Sequence, residues 1–204
     1  MMIKKRRIGT HNSASGEEPR NFISKIGSFI CNHQDKTLEE QFVSGVRLFD
    51  LHVKPYREKN GYTDSKYPIA DIENCILGYG LFDYKITLLE AVKRLHIACS
   101  LRNTKCYVII TFEGDLVNNC EEQFDNEVKE LMKRFNDVIL LEVNVNGQEL
   151  KELYHNPRSK VTYIKEYPVI KGLKVIFPFP RFWNMFIKYK QDKDDNVYSL
   201  RDFV

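Results

Sequence analysis

The sequence predicts an α/β fold in the form of a compact, trimmed (β/α)8 TIM-type barrel, with one domain over residues 1–204. Short apolar segments alternate with helical patterns along the chain, as expected for a parallel sheet covered by helices. Eight segments qualify as strands, and this number favours a closed barrel over an open sheet. Because such barrels typically need about 250 residues, we expect short or missing helices in the second half.

The predicted strands are the apolar runs at 6–9, 46–53, 75–79, 107–112, 138–143, 160–165, 174–177 and 197–203. Several are almost continuously apolar, which is typical of strands covered on both faces. Helices are predicted at 21–32, 37–43, 87–101 and 121–135, where apolar residues recur every three or four positions. The second and third begin with a threonine followed three residues later by a glutamate, the spacing of a capping box.

Composition excludes several classes of protein. The 31 basic and 28 acidic residues are mixed, without a long basic run, so nucleic acid is not an expected partner. Five cysteines without metal-binding spacing indicate reduced thiols in a cytosol-like compartment. The chain has neither a signal-peptide pattern nor an apolar run of the roughly 18 residues that span a membrane. We expect a cytoplasmic monomer without an organic cofactor, whose membrane contact is peripheral.

Polar residues follow most of the predicted strands. In a barrel of this type the carboxyl ends of the strands carry the catalytic groups. The residues at six of the eight ends are His11 and Asn12, Asp50 and His52, Tyr79 and Gly80, Glu113 and Asp115, Lys165 and Glu166, and Asp202. A core needs none of these side chains, so their recurrence indicates a site.

His11 is the most informative of them. It follows Gly9 and Thr10 and precedes Asn12 and Ser13, at the end of the first predicted strand. Small flanking residues allow backbone and ligand to approach closely, and imidazole titrates near neutral pH. This setting suits a general base.

Five segments resemble the X domain of phosphatidylinositol-specific phospholipase C. They are GTHNS at 9–13, GVRLFDL at 45–51, ITLLE at 86–90, VIITFE at 108–113 and LRDF at 200–203. The similarity is strongest over residues 1–115. It implies a phosphodiesterase that cleaves phosphatidylinositol, or a related glycerophosphodiester, into a cyclic phosphate and diacylglycerol. His11 matches the general base that deprotonates the inositol 2-hydroxyl, and Asp202 matches the carboxylate that orients this base.

The resemblance also implies a calcium site. Asn12, Asp50 and Glu113 match oxygen ligands of the metal-dependent members, and such ligands suit Ca²⁺ or another hard divalent metal. The fourth ligand position falls on His52. His52 either donates to the phosphate, binds a different divalent metal, or packs.

Tyr79 departs from the family pattern, because the second catalytic histidine is expected there. Tyrosine, with an ordinary pKa of about 10, is a weaker acid than imidazolium. Either Tyr79 or His52 replaces the missing acid, or the chain is a catalytically impaired relative that binds phosphoinositides or acts as an interaction module. A third hypothesis is another metal-dependent phosphodiesterase, with His52 and the acids as metal ligands.

Two further groups concern the lipid substrate. Phe182, Trp183 and Phe186 lie in an aromatic, basic stretch at 175–190 that suits the headgroup boundary of a membrane. The helix at 21–32 is equally compatible with membrane contact and with packing. Lys165, Arg47 and Lys54 are candidates for binding headgroup phosphates, and Arg47 is equally compatible with a structural ion pair.

Overall fold

The computed structural model of the protein describes residues 7–25, 34–55, 75–113, 121–145, 148–149, 162–165 and 197–201. The strands in these ranges are β1 (Arg7–Thr10), β2 (Leu48–Pro55), β3 (Cys75–Tyr79), β4 (Phe82–Thr87), β5 (Cys106–Phe112), β6 (Val138–Val145), β7 (Gln148–Glu149), β8 (Thr162–Lys165) and β9 (Val197–Arg201). The helices are α1 (Leu38–Val43), α2 (Leu88–Leu101) and α3 (Glu121–Arg134), and a 3-10 turn spans Ser13–Gly16.

The strands form one mixed sheet. Six pair in parallel in the order β6-β5-β2-β1-β9-β8, and β7, β3 and β4 add antiparallel to β6, β2 and β3 respectively. The predicted α/β class is confirmed. Within the described ranges the sheet follows an open path from β7 to β8, so closure of a barrel and a single domain stay predictions.

Seven of the eight predicted strands correspond to β1, β2, β3, β5, β6, β8 and β9, with shifted ends, and the run at 174–177 lies outside the described residues. Strands β4 and β7 were not predicted. The parallel direction that a (β/α)8 barrel implies for β3 is wrong, because β3 is antiparallel to both β2 and β4. A two-residue turn at Gly80 and Leu81 folds the chain back, so that Tyr79 pairs with Phe82. Gly80 has a φ of 56°, a left-handed conformation that glycine adopts readily.

The helices begin as the sequence predicts. The Thr37 side chain accepts a hydrogen bond from the backbone N–H of Glu40, whose carboxylate accepts one in return from the Thr37 N–H. At the start of α2 the Thr87 side chain accepts from the N–H of Glu90. Of the helix predicted at 21–32, residues 22–25 are helical and the later residues lie outside the described part. No helix among the described residues is long and apolar enough to cross a membrane.

The two faces of the sheet carry different apolar clusters. Residues of α1, α2 and α3 pack with Phe49, Leu51 and Val53 of β2 in the larger cluster. Because side chains alternate along a strand, Leu48, Asp50 and His52 lie on the opposite face. There Leu48 packs in a smaller cluster with Ile109, Tyr198 and Leu200. The polar residues of β2 therefore lie on the face opposite to these three helices.

Gly9 allows β1 to fit between its two neighbours. It is paired with Leu48 of β2 on one side and with Leu200 of β9 on the other. A Cβ atom at position 9 would lie 2.9 Å from Leu200 Cδ2 and 3.1 Å from Leu48 Cβ, and both leucines are buried. Glycine at this position lets β1 pair with both neighbours without displacing either leucine side chain.

We expect Gly9→Ala to lower the free energy of unfolding by about 1–3 kcal/mol, because the added methyl overfills a packed face. Urea denaturation followed by circular dichroism measures the change. As a control, Leu101→Ala removes an exposed side chain and is expected to stay within about 0.5 kcal/mol of the parent protein. Equal stability of the Gly9 variant and the parent would contradict the packing argument.

Candidate active site

The site lies where two strands share one edge of β2. Strand β1 pairs with β2 at Leu48 and Phe49, and β3 pairs with the same strand from Val53 to Pro55. Between them, residues 50–52 pair with β5 on the other edge. On the first edge, neither β1 nor β3 pairs with residues 50–52, which leaves a gap in the sheet beside Asp50 and His52. The chain that follows β1 enters this gap.

Ser13 fastens the chain after β1 to this gap. Its Oγ accepts a 2.9 Å hydrogen bond from the backbone N–H of Asp50 and lies 2.8 Å from Thr10 Oγ1. All three residues are buried. The Thr and Ser of the GTHNS motif therefore extend the β1–β2 connection by side chains after the backbone pairing ends.

The backbone around His11 is also held by residues outside the motif. Gln34 Nε2 donates to the carbonyl oxygen of His11 at 3.1 Å, and Gln41 Nε2 donates to that of Ser13 at 2.7 Å. Asn12 has a φ of 45° and a ψ of 56°, a left-handed conformation that asparagine tolerates. Its amide Oδ1 is buried and is one of the few such atoms in the described part of the chain without a hydrogen-bond partner.

His52 lies between two carboxylates. Its Nδ1 donates to Glu113 Oε1 at 2.7 Å, and its Nε2 lies 3.3 Å from Asp50 Oδ2. Asp50 is two residues away on the same face of β2, and Glu113 follows β5, whose Thr111 is paired with His52. Strand geometry and the β2–β5 register thus bring one acid to each side of the ring.

These contacts change the pKa values of the group. Burial is the largest single influence on the pKa of His52 and lowers it, but the charges and hydrogen bonds of Asp50 and Glu113 together raise that pKa from 6.5 to about 9. The hydrogen bond from His52 lowers the pKa of Glu113. At neutral pH His52 is therefore an imidazolium between the carboxyl groups of Asp50 and Glu113.

Three aromatic rings meet at the gap. The ring centroids of His52 and Tyr79 are 4.8 Å apart, and those of His11 are 6.0 Å from His52 and 6.3 Å from Tyr79, all edge to face. One ligand atom each of His11, Asp50 and His52 lies within 4.8 Å of the others, and all three residues are buried. Two imidazole rings, a carboxylate and a phenol thus converge in one place.

The structure therefore brings together His11, Asp50, His52, Tyr79 and Glu113 from separate parts of the sequence. It places Asn12 next to His11 in the chain after β1. Their catalytic and ligand roles stay predictions.

The predicted phosphate-binding residues are placed differently. The Arg47 guanidinium donates to the carbonyl oxygens of Phe42 and Val46 and lies 3.9 Å from the centre of the Phe42 ring, at the end of β2 remote from His52. Lys54 Nζ donates to Gly80 O and forms an ion pair of 2.9 Å with Asp83, which holds the β3–β4 turn. These contacts favour structural roles for both.

The remaining predicted site residues belong to the second half of the chain, where the structure describes few residues. Lys165 is the last residue of β8 and is paired with Leu200 of β9. Asp202, Phe182, Trp183 and Phe186 lie outside the described residues. Gln34 and Gln41 were not predicted, since a glutamine in a polar segment gives no local sign of the buried carbonyl that it binds.

We expect the protein to lose stability as the pH rises from about 6.5 through about 9 in chelator-treated buffer. The folded-state pKa of His52 is above its unfolded value, so its charged form stabilises the fold fully below the unfolded pKa and progressively less above it. Urea unfolding across this range measures the slope, of the order of a few kcal/mol in total.

His52→Gln is the matched variant, since it keeps a polar side chain but removes the charge. It should flatten the slope. An equally steep decline in the variant would show that another group causes it.

Comparison with known proteins finds only remote similarity. No known family matches the sequence, and a search of curated proteins finds no relative. Among solved structures, the phosphatidylinositol-specific phospholipase C of Listeria monocytogenes aligns at 16% identity and a TM-score of 0.43, over 66% of this chain and 41% of its own. The F249X and H258Y mutants of the Staphylococcus aureus enzyme align at 14% and 15% identity, both with a TM-score of 0.48, over 71% of this chain and 49% and 48% of theirs. This chain thus spans less than half the length of those proteins.

Proposed function

We propose that the protein is a phosphoric diester hydrolase of the phospholipase C type, acting on phosphatidylinositol or a related glycerophosphodiester. One observation carries the proposal: His11, Asp50 and His52 place ligand atoms within 4.8 Å of one another, with Tyr79 against the His52 ring. The sequence motifs around His11, Asp50 and Glu113 assign the same residues to one reaction. The chemistry below follows from this arrangement.

His11 acts as the general base. It accepts the proton of the inositol 2-hydroxyl while that oxygen attacks phosphorus, and the bond from phosphorus to the glycerol oxygen breaks. The products are an inositol cyclic phosphate and diacylglycerol, whose oxygen must gain a proton. The Gln34 bond to the His11 carbonyl fixes the backbone from which the base projects.

His52 contributes charge rather than an acidic proton. Both of its ring nitrogens face carboxylates, so neither is directed at a leaving group. The imidazolium offsets part of the negative charge of Asp50 and Glu113, which would otherwise repel a phosphodiester. Because the two acids outnumber it, a further cation is needed at the phosphate, and Lys165 at the end of β8 is the candidate that we retain.

Tyr79 is then the proton donor for the leaving oxygen. It occupies the strand end where the family pattern expects the acidic histidine, and its ring lies against His52 and near His11. A phenol supplies this proton less readily than imidazolium. The same residue supports the alternative of a phosphoinositide-binding module that has lost turnover.

Calcium fits this donor set poorly. Ca²⁺ prefers six to eight oxygen ligands, whereas Asp50 and Glu113 each contact His52, which offers nitrogen atoms in place of oxygen. Asn12 Oδ1 is a buried oxygen of the described residues that has no hydrogen-bond partner. We therefore assign no step of the reaction to calcium.

An exposed apolar rim beside the gap supports action at a lipid surface. Leu81, in the β3–β4 turn after Tyr79, is 78% exposed, and Phe22 and Ile23 are 74% and 63% exposed. Asp83 joins the two segments, because its backbone N–H donates to Ser24 Oγ at 2.9 Å and its carbonyl accepts from the Arg20 N–H at 2.8 Å. We propose that Phe22, Ile23 and Leu81, here called the apolar rim, contact the membrane during catalysis.

For catalysis, we expect the purified protein to release water-soluble inositol phosphate from phosphatidylinositol vesicles and His11→Ala to abolish the release. Tyr79→Phe should lower the rate by about 10²- to 10⁴-fold, because it removes the proton donor. His96→Gln, in an α2 histidine that pairs with Asp137, is the control and should retain activity. Absence of turnover at micromolar enzyme would overturn the enzymatic proposal, while retained vesicle binding would then favour the binding module.

For membrane contact, we expect Leu81→Ser and Phe22→Ser each to weaken binding to phosphatidylinositol vesicles by about 10-fold, since each removes a large apolar side chain from the lipid boundary. Co-sedimentation measures the affinity. Leu101→Ser is the matched control, because Leu101 is 81% exposed and lies close to the start of β5, remote from Glu113. Equal losses in all three variants would contradict a specific role of the rim.

A further inference from the structure

We propose that His11, Asp50 and His52 form a binding site for a divalent transition metal of the zinc type. One ring nitrogen from each histidine and one Asp50 carboxylate oxygen are the ligands. This set differs from the calcium ligands that the resemblance implies, because it contains two nitrogens and leaves Glu113 outside. Two imidazoles and a carboxylate, with a fourth position open, are a donor set that zinc prefers.

The distances support a shared metal. In a tetrahedral zinc site with ligand bonds of about 2.0–2.2 Å, neighbouring donor atoms lie about 3.4 Å apart. His52 Nε2 and Asp50 Oδ2 are separated by 3.3 Å. The His11 ligand atom lies within 4.8 Å of the other two ligand atoms. The His11 side chain therefore needs to move by little more than ~1 Å for all three atoms to reach tetrahedral spacing.

Glu113 provides the support that histidine ligands usually have. A metal-binding histidine commonly donates its second ring N–H to a carboxylate, which fixes the ring and its tautomer. His52 Nδ1 makes this bond to Glu113 Oε1 at 2.7 Å, and its Nε2 lies on the side of Asp50. Without a metal His52 is an imidazolium, so metal binding releases the Nε2 proton to solvent. Glu113 thus holds one nitrogen of the His52 ring, and the other nitrogen is the one proposed to bind the metal.

Burial and charge are also compatible with an ion. The three ligand residues are at most 8% exposed, and the charges of Asp50 and Glu113 together match a divalent cation. Asn12, the residue after His11, retains a buried amide oxygen without a partner. This oxygen or a water molecule is available to complete four ligands.

Metal binding has a consequence for the reaction proposed above, and this part of the inference rests on that function. A metal on His11 occupies the lone pair that must accept the substrate proton. Zinc is therefore expected to inhibit cyclisation, and a chelator is expected to restore it.

The test titrates the chelator-treated protein of 204 residues with Co²⁺, Zn²⁺ and Ca²⁺. We expect one Co²⁺ per chain with the visible absorption of a four-coordinate ion, displacement by Zn²⁺, and Zn²⁺ affinity at least ~100-fold above that for Ca²⁺. Asp50→Asn and His52→Gln should each weaken Zn²⁺ binding by more than ~100-fold, and Glu113→Gln by about 10- to 100-fold. His96→Gln is the control and should bind as the parent does.

Absence of the cobalt spectrum in the parent protein overturns the proposal without any variant, and so does unchanged affinity in a folded Asp50→Asn variant. If the protein binds the metal but shows no phosphodiesterase activity under any condition, the metal site is supported and the proposed function is wrong. If the protein is active, binds no metal and is unaffected by zinc, the proposed function is supported and the metal site is wrong.

Discussion

The contact of His52 with Asp50 and Glu113 is the interaction on which the site depends. A buried imidazolium is costly without acids beside it. The buried carboxylate of Asp50 and the partly buried carboxylate of Glu113 in turn repel each other without the imidazolium. The parallel pairing of β2 with β5 satisfies both requirements, because it places His52 beside Thr111 and so within reach of Glu113. The charge, the orientation of the ring and the direction of its two nitrogens all follow from that register.

Incomplete strand pairing leaves room for other side chains beside Asp50 and His52, which stay buried. Had β1 continued along β2, its backbone would lie against Asp50 and His52. Instead, Ser13 takes over the hydrogen bond of the Asp50 N–H, and β3 begins pairing only at Val53. Gly9 permits the close approach of β1 before it diverges, and Lys54 holds the turn after Tyr79. The gap is thus maintained by bonds on both of its sides.

Local patterns in the sequence were sufficient for part of this architecture. Apolar runs located β2 and β5, and threonine–glutamate spacing located the starts of α1 and α2, because these signals act over a few residues. The positions of His11, Asp50 and Glu113 were found from predicted strand ends. The sequence did not predict that His52 lies between two acids. That position depends on the register of β2 with β5, which brings together residues 61 positions apart in the sequence. The antiparallel course of β3 was missed because the two-residue turn at Gly80 was not recognised.

The arrangement of the histidines also limits how protons can move. A pair of histidines can act as base and acid only if each has a nitrogen directed at the substrate. His52 has its nitrogens engaged by Asp50 and Glu113, and its raised pKa reflects those bonds. Under the proposed function, Tyr79 must therefore protonate the leaving oxygen, so replacing histidine by tyrosine slows departure of diacylglycerol without weakening the attack that His11 promotes. Under that proposal, His11 is the base, His52 supplies charge, and the phenol of Tyr79 is the acid.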